Sequence, residues 1–357
     1  MIHNFNLIKK KVGPQVKFMA VVKANAYGHG LIEVARTLEK NNVEYFGVAF
    51  PREGVQLRQA GIKTPVLVMG AHLNSDLELQ VNNNLDITIT RIDQLEQLNI
   101  YCNVNNKRAR IHFKVNTGMN RIGLDEKDLF QAFRKASGYK NITIAGVYSH
   151  LSSSDEDDQS YTRSQIQRFK KIRDTLYDPQ SPVLFHVANS AGIMQSPDYW
   201  FDMVRAGITL YGNPSNPAFK IDKDFKEVMS FYTKIMLIRE TAKNEPVSYS
   251  RRYYTKEKTK IAVLPVGYAD GYNRALTNKG EVLIAGKRYP VVGTVCMNHI
   301  LIDIGLKSQL KIGDNVVLFG SQENERISIS EIAAQLNTIS YEITCSISSL
   351  VERIHQY

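Results

Sequence analysis

The chain is predicted to be an α/β protein, a (β/α)₈ TIM barrel followed by a C-terminal all-β domain. Three observations predict it. Eight short apolar, β-branched runs alternate with amphipathic stretches as far as Arg205. Past about residue 225 the amphipathic connectors vanish while strand-like runs continue. The 357 residues also suffice for two domains of roughly 150 residues each.

Taken in order, Ile2, Phe5, Ile8 and Val12 recur at helical spacing and stop at Gly13-Pro14, which predicts an opening helix. The eight runs are Lys17–Lys23, Tyr45–Ala49, Pro65–Met69, Asp86–Ile89, Arg110–Lys114, Ile142–His150, Val183–Val187 and Asp202–Arg205. Helical connectors are predicted at Leu31–Asn41, Pro51–Ala60, Gln94–Leu98, Leu129–Ala136 and Tyr161–Leu176. Buried-type strands alternating with helices give a parallel sheet, and eight repeats close into a barrel. An open doubly wound sheet would carry a Gly-rich phosphate turn after its first strand, and none is there.

The later strands are expected at Val228–Arg239, Lys260–Val266, Gly280–Ala285, Tyr289–Val295, Ile300–Ile304 and Asn315–Phe319, with one helix at Ser328–Leu336. Asn213–Lys226, holding Pro214 and Pro217, reads as the linker. The domains are accordingly placed at residues 1–225 and 226–357.

An apolar share of 43% with 22% charged residues belongs to a globular protein and excludes disorder and collagen-like fibres. No run of about 18 apolar residues exists, so no membrane span is expected. The start has no apolar signal-peptide core, which argues against secretion, so a cytoplasmic location is expected. Cys102, Cys296 and Cys345 lack paired spacing, so reduced thiols are expected rather than disulfides or a zinc site, and no metal is expected. The net charge is +10, but the basic residues are scattered and not interleaved with aromatics. That distribution argues against nucleic acid and toward an anionic small molecule.

In a (β/α)₈ barrel the chemistry lies where the strands end. The first strand delivers Lys23 to Gly30, the fifth Lys114 to Arg121, the sixth Ser149-His150, the seventh His186 to Ala191, and the eighth Arg205 to Ile208. Taken singly these have plain structural readings: a solvated lysine cap, satisfied histidines, an arginine in an ion pair. Ser190 and Gly207-Ile208 differ, because they follow strands seven and eight, where such barrels build a phosphate site. A phosphate site beside a strand-end lysine suggests pyridoxal phosphate.

Val21-Val-Lys-Ala-Asn-Ala-Tyr-Gly-His-Gly30 resembles the pyridoxal-phosphate attachment motif of the alanine racemases. The resemblance continues through Lys114-x-x-Thr-Gly-Met-x-Arg121, His186-x-Ala-Asn-Ser-Ala191, Val204-Arg-x-Gly-Ile208, Gly267-Tyr-Ala-Asp-Gly-Tyr272, Val295-Cys-Met297 and Tyr341-Glu-x-x-Cys345. It implies an isomerase that interconverts L-alanine and D-alanine, supplying D-alanine for peptidoglycan. Lys23 would hold the cofactor as a Schiff base and serve as the base on one face, with Tyr268 as the base on the other. A free phenol titrates near 10, too high for a base at neutral pH, and His150 and Arg205 would supply the positive bias that lowers it. Tyr27, Ser190, Gly207 and Ile208 would contact the phosphate, and Arg205 the ring nitrogen. Arg121 and Met297 would contact the substrate, and Lys114 aligns with a lysine that some members carry carbamylated. Because Tyr268 and Met297 fall in the β domain, the resemblance also implies a homodimer in which each β domain completes the other chain's site.

Several positions depart from the family's pattern. The chain starts inside the first helix, where the family usually has a short strand, so either a β domain without that edge strand or a recorded start that is too late is expected. Asn116 and Asn298 stand where Asp is common, and Leu350-Val-Glu-Arg353 replaces the usual Arg-Val-Pro-Arg. Ser349 stands where some members have a tyrosine that narrows the entrance, which keeps serine or broad-specificity racemisation as an alternative. A pyridoxal-phosphate carrier is disfavoured by the presence of a β domain, and a related decarboxylase by its different lysine motif.

Overall fold

A computed structural model describes residues 1–356. They divide into two compact units, Met1–Leu210 and a second beginning at Tyr211.

The first unit opens with the helix Ile2–Val12, which buries Asn4, Phe5, Ile8 and Val12 and ends at Gly13, whose φ of 77° only glycine adopts freely. Phe5 packs edge-on against Phe18 with ring centroids 4.9 Å apart. The strands follow as β1 Lys17–Val21, β2 Tyr45–Val48, β3 Val66–Val68, β4 Asp86–Ile89, β5 Ala109–Lys114, β6 Ile142–Tyr148, β7 Leu184–His186 and β8 Met203–Ala206. They pair in parallel in the order β7-β6-β5-β4-β3-β2-β1-β8. The seam between β7 and β8 is bridged rather than laddered. Asp202 N–H donates to Phe185 O at 2.9 Å, and the Asp202 carboxylate accepts from Phe185 N–H at 2.7 Å. Arg205 N–H donates to Ala188 O at 3.0 Å. The barrel is nearly closed, and its strands match the eight runs because burial on both faces selects near-continuous apolar sequence.

Helices at Leu31–Lys40, Pro51–Gln59, Ile92–Val104, Glu126–Ser137 and Ser160–Leu176 surround the sheet. The structure adds two six-residue helices, Leu77–Asn82 and Ser190–Gln195, each too short to show a helical period. Inside the barrel, Met19, Tyr45, Leu67, Tyr148 and Met203 pack together with Met69 and Leu184. Asp86, Thr88, His112, His186 and Arg205 are also buried, and they are what makes this interior unusual.

The second unit is built on two antiparallel sheets. One comprises β10 Leu237–Thr241, β11 Thr259–Leu264 and β14 Ile300–Asp303. The other runs β13 Lys287–Pro290, β12 Glu281–Ile284, β15 Asn315–Gln322, β16 Glu325–Ile327, with β9 Phe231–Lys234 also pairing with β15. Their core gathers Val282, Ile284, Ile300, Ile302, Val316, Leu318 and Ile329.

The stretch Val228–Arg239 is not one strand, as the sequence suggested, but β9 and β10 in different sheets. Ile235 bonds through its backbone to Asp314 and Gly313, and Met236 N–H turns to Val263 O, so the chain changes partner with no glycine or proline to mark it. The helix Ile329–Gln335 is capped by Ser328, whose hydroxyl accepts from Glu331 N–H at 3.0 Å. Among the described residues no helix is long and apolar enough to cross a membrane.

Candidate active site

Lys23 follows β1 by one residue, at the C-terminal end of the barrel. Directly after it, Ala24, Asn25, Ala26 and Tyr27 all take φ near +54°, a left-handed turn made of non-glycine residues. Such a conformation costs about 1–2 kcal/mol per residue, so it persists only where neighbours fix it. Ala26 N–H donates to Val22 O at 2.8 Å, Gly28 N–H to Ala24 O at 3.0 Å and Gly30 N–H to Asn25 O at 2.9 Å. Glu53, on the helix after β2, accepts from Ala24 N–H at 2.6 Å with one oxygen and from Ala49 N–H and Phe50 N–H with the other. The Asn25 side chain accepts from Leu31 N–H at 2.8 Å and so caps the next helix. The small residues and the two glycines of Lys23-Ala-Asn-Ala-Tyr-Gly-His-Gly30 are thus what this turn requires.

After β7, the Asn189 side chain accepts from Gly192 N–H at 2.9 Å and starts the helix at Ser190. The Ser190 hydroxyl accepts from Gly207 N–H at 2.9 Å and from Thr209 N–H at 3.3 Å, joining the ends of β7 and β8. A Cβ placed on Gly207 would lie 2.5 Å from Tyr27 Oη, so the tyrosine of the left-handed turn stands over a position where only glycine fits. Ile208 is buried beside it, and Thr209 Oγ1 is buried without a hydrogen-bond partner among the described residues. The Tyr27 and Ser190 hydroxyls, with the Gly207 and Thr209 N–H groups gathered on Ser190, surround an α-carbon that bears no side chain and form a cradle of the right chemistry for an anion.

Arg205 is buried on β8. Its Nη1 lies 2.9 Å from His186 Nδ1, and its Nη2 donates to Ser149 O at 2.6 Å and Val187 O at 3.0 Å and lies 3.3 Å from His150 Nδ1. Burial pushes Arg205 down to about 10, which leaves it charged at neutral pH. Burial, with the Arg205 charge next in importance, holds His150 and His186 well below the ordinary histidine range, so both rings are neutral and His150 does not carry the positive charge expected of it from the sequence.

Lys114 closes β5 and sits 5.1 Å from the centroid of the Tyr148 ring. Burial and the charges of Arg205, Arg121 and Lys23 lower it to about 7. Lys114, Arg121, Ser149 and His150 line one small cavity. Asn116 keeps the Arg121 loop in shape without a charge, its side-chain oxygen accepting from Gly118 N–H and Asn120 N–H at 3.1 Å each.

In the second unit, Tyr268 and Met297 lie on two turns stitched together. Tyr268 N–H donates to Cys296 O and Ala269 N–H to Met297 O, both at 3.0 Å. A Cβ on Gly267 would fall 2.2 Å from Cys296 O, which explains the glycine before the tyrosine. Both side chains are exposed, and they line a cavity of about 320 Å³ with Tyr249, Arg274 and His299.

Within the barrel unit the structure therefore groups Tyr27 with Ser190 and Gly207, and Lys114 with Arg121, His150 and Arg205; within the second unit it groups Tyr268 with Met297. Sequence reasoning passed over Glu53, Thr209, Asp86 and His112. For His112 there was a signal: it sits two residues before Lys114 on one strand, and so on the same face.

The family model "Alanine racemase, N-terminal domain" matches residues 1–214, and "Alanine racemase, C-terminal domain" matches residues 228–355. The chain is 43% identical to alanine racemase 2 of Caldanaerobacter subterraneus over 100% of its own length and 92% of that protein. Among solved structures it resembles the alanine racemase of Clostridium difficile, with 36% identity and a TM-score of 0.90 over 97% of this chain and 90% of the other. It also resembles that of Bartonella henselae, solved with covalently bound pyridoxal phosphate, with 28% identity and a TM-score of 0.88 over 99% and 96%. With both domain models matched in order and full-length relatives above 40% identity, this chain belongs to the alanine racemase family.

Proposed function

We propose that this chain interconverts L-alanine and D-alanine, with pyridoxal 5'-phosphate held at Lys23. The observation that carries this reading is an anion cradle at the same barrel end as Lys23, Lys114, Arg121 and Arg205. The donor set fits the cofactor: Tyr27, Ser190, Gly207 and Ile208 would hold its phosphate, His150 and Arg205 its ring side, and Lys23 its carbonyl carbon. When bound, the cofactor supplies a conjugated sink for the electron pair left when the substrate's α-proton departs.

Everything else falls to the protein. Lys23 Nζ exchanges the α-proton on one face, and Tyr268 Oη on the other, as inversion of a stereocentre requires. Arg205 would donate to the ring nitrogen and keep its own proton, so the sink would stay moderate and transamination would be suppressed. Arg121 and the Met297 backbone orient the substrate carboxylate. Tyr268 and Met297 serve the barrel of a second copy in an isologous homodimer. The product would feed peptidoglycan synthesis in the cytoplasm.

Racemisation of L-alanine by the purified protein, without gas release or a carbonyl product, tests this reading, and a carboxyl loss or no turnover overturns it. Ser349 favours a second, broader reading, which equal turnover of L-serine in the same assay would establish.

Lys114 has a role of its own. Its amine is neutral above about pH 7, and it would take up CO₂, releasing a proton, to become an anionic carbamate that orients Arg121. Before it does so, its lowered value makes the unfolded chain bind more protons between about pH 7 and the ordinary lysine range, so stability rises with pH across that window. In CO₂-free buffer, urea unfolding of wild type compared with Lys114→Met should show this rise only in wild type. Bicarbonate at pH 8 should stabilise wild type further and leave Lys114→Met unmoved.

A further inference from the structure

The barrel interior carries a line of polar side chains leading away from Arg205 toward the starts of the strands. Arg205 Nη1 lies 2.9 Å from His186 Nδ1, and His186 Nε2 lies 3.1 Å from His112 Nδ1. His112 Nε2 lies 3.4 Å from Asp86 Oδ2. All four residues are buried, both histidines completely. Asp86 begins β4, where Arg110 Nε donates to its Oδ1 at 3.0 Å and Tyr45 Oη donates to its Oδ2 at 2.9 Å. Arg110 Nη2 in turn donates to Tyr45 Oη at 2.8 Å.

The two ends fix the direction of every link. A guanidinium only donates, so His186 Nδ1 must accept. A neutral imidazole has one proton, which therefore sits on His186 Nε2 and is donated to His112 Nδ1. His112 must then carry its own proton on Nε2, facing Asp86. The carboxylate faces it at contact distance, without a formed hydrogen bond, since His112 Nε2 has no hydrogen-bond partner among the described residues; burial opposes ionisation of Asp86, but the His112 ring and the charge of Arg110 outweigh burial and hold it below its ordinary value.

Packing keeps the rings in place. Tyr148 stacks on His186 at 4.9 Å with the planes 4° apart. A Cβ on Gly146 would lie 2.4 Å from His112 Nδ1, so β6 leaves a gap that the His112 ring fills.

We propose that Asp86 and His112 are positioning residues for Arg205: the guanidinium at one end and the carboxylate at the other together hold two histidines in one tautomer each, and these hold the guanidinium in its working orientation. The proposal rests on the reading that Arg205 faces the cofactor ring. Outer partners that orient metal ligands commonly change activity by about 10–100-fold when removed, and the same scale is expected for partners that orient Arg205.

The test is ¹⁵N NMR of the holoenzyme labelled in its 8 histidines, with His112→Gln and His186→Gln used for assignment. Wild type should show both rings protonated at Nε2 only. Asp86→Leu should lose that pattern, shift the absorption band of the bound cofactor and lower kcat about 10–100-fold with little change in KM. Asp86→Asn, whose amide oxygen still accepts, should restore the tautomers and most of kcat. A wild-type ring protonated at Nδ1 overturns the proposal, whether or not the leucine variant folds. So does a folded Asp86→Leu protein with unchanged tautomers and spectrum. The tautomers are read without turnover, so a wild type that fails to racemise alanine overturns the proposed function and leaves the histidine chain to be judged by its own signals.

Discussion

Lys23→Ala should lose racemisation by at least about 10⁴-fold, the upper end of what one acid–base group contributes, because it removes a base and the cofactor's anchor together. The cluster contains a rival. Lys114, lowered to about 7, has a sizeable neutral fraction at neutral pH, which by chemistry alone makes it a candidate nucleophile. Geometry favours Lys23. Lys114 is buried against the Tyr148 ring, whereas Lys23 is half-buried at the start of a turn that also carries Tyr27 over Gly207. Borohydride reduction of the holoenzyme followed by peptide mapping separates the two: the reduced cofactor is expected on the Lys23 peptide, and label on Lys114 would move the assignment. Small primary amines should restore part of the activity of Lys23→Ala by standing in for the missing base, while the same amines should do nothing for wild type.

The barrel was legible because a strand buried on both faces writes its whole length as β-branched, apolar residues, and glycine or proline marks its ends. β9 and β10 were not separable for the opposite reason, since the chain changes sheets between Lys234 and Leu237 with no turn residue. The glycines at 28 and 30 announced a tight loop, but nothing in Ala-Asn-Ala-Tyr predicts a left-handed turn. That turn is imposed by Glu53, which is distant in sequence and arrives only when β2 pairs with β1. The strand-end residues could be named because the fold dictates where chemistry sits. The Asp86–His112–His186 line could not, because each member reads alone as a stray polar residue within a strand, and only the barrel's closure brings them together.

Tyr268→Phe should lower turnover by about 10²–10⁴-fold, the range for one general acid–base group. Enantiomers have equal free energy, so the equilibrium constant is fixed at unity. Whichever face Tyr268 serves, kcat/KM must therefore fall by the same factor from L-alanine and from D-alanine. Isotope exchange breaks this symmetry. In D₂O, Lys23 should still remove and return the α-proton on its own face, so one enantiomer exchanges its α-hydrogen without inverting and the other does not. Exchange of both at equal rates would mean that Tyr268 is not the second base. The same substitution tests the dimer. If Tyr268 serves the other chain's barrel, a mixed dimer of Lys23→Ala and Tyr268→Phe carries both lesions in one site and none in the other. Refolding the two inactive variants together should then recover activity, whereas a site completed within one chain would stay inactive in every combination.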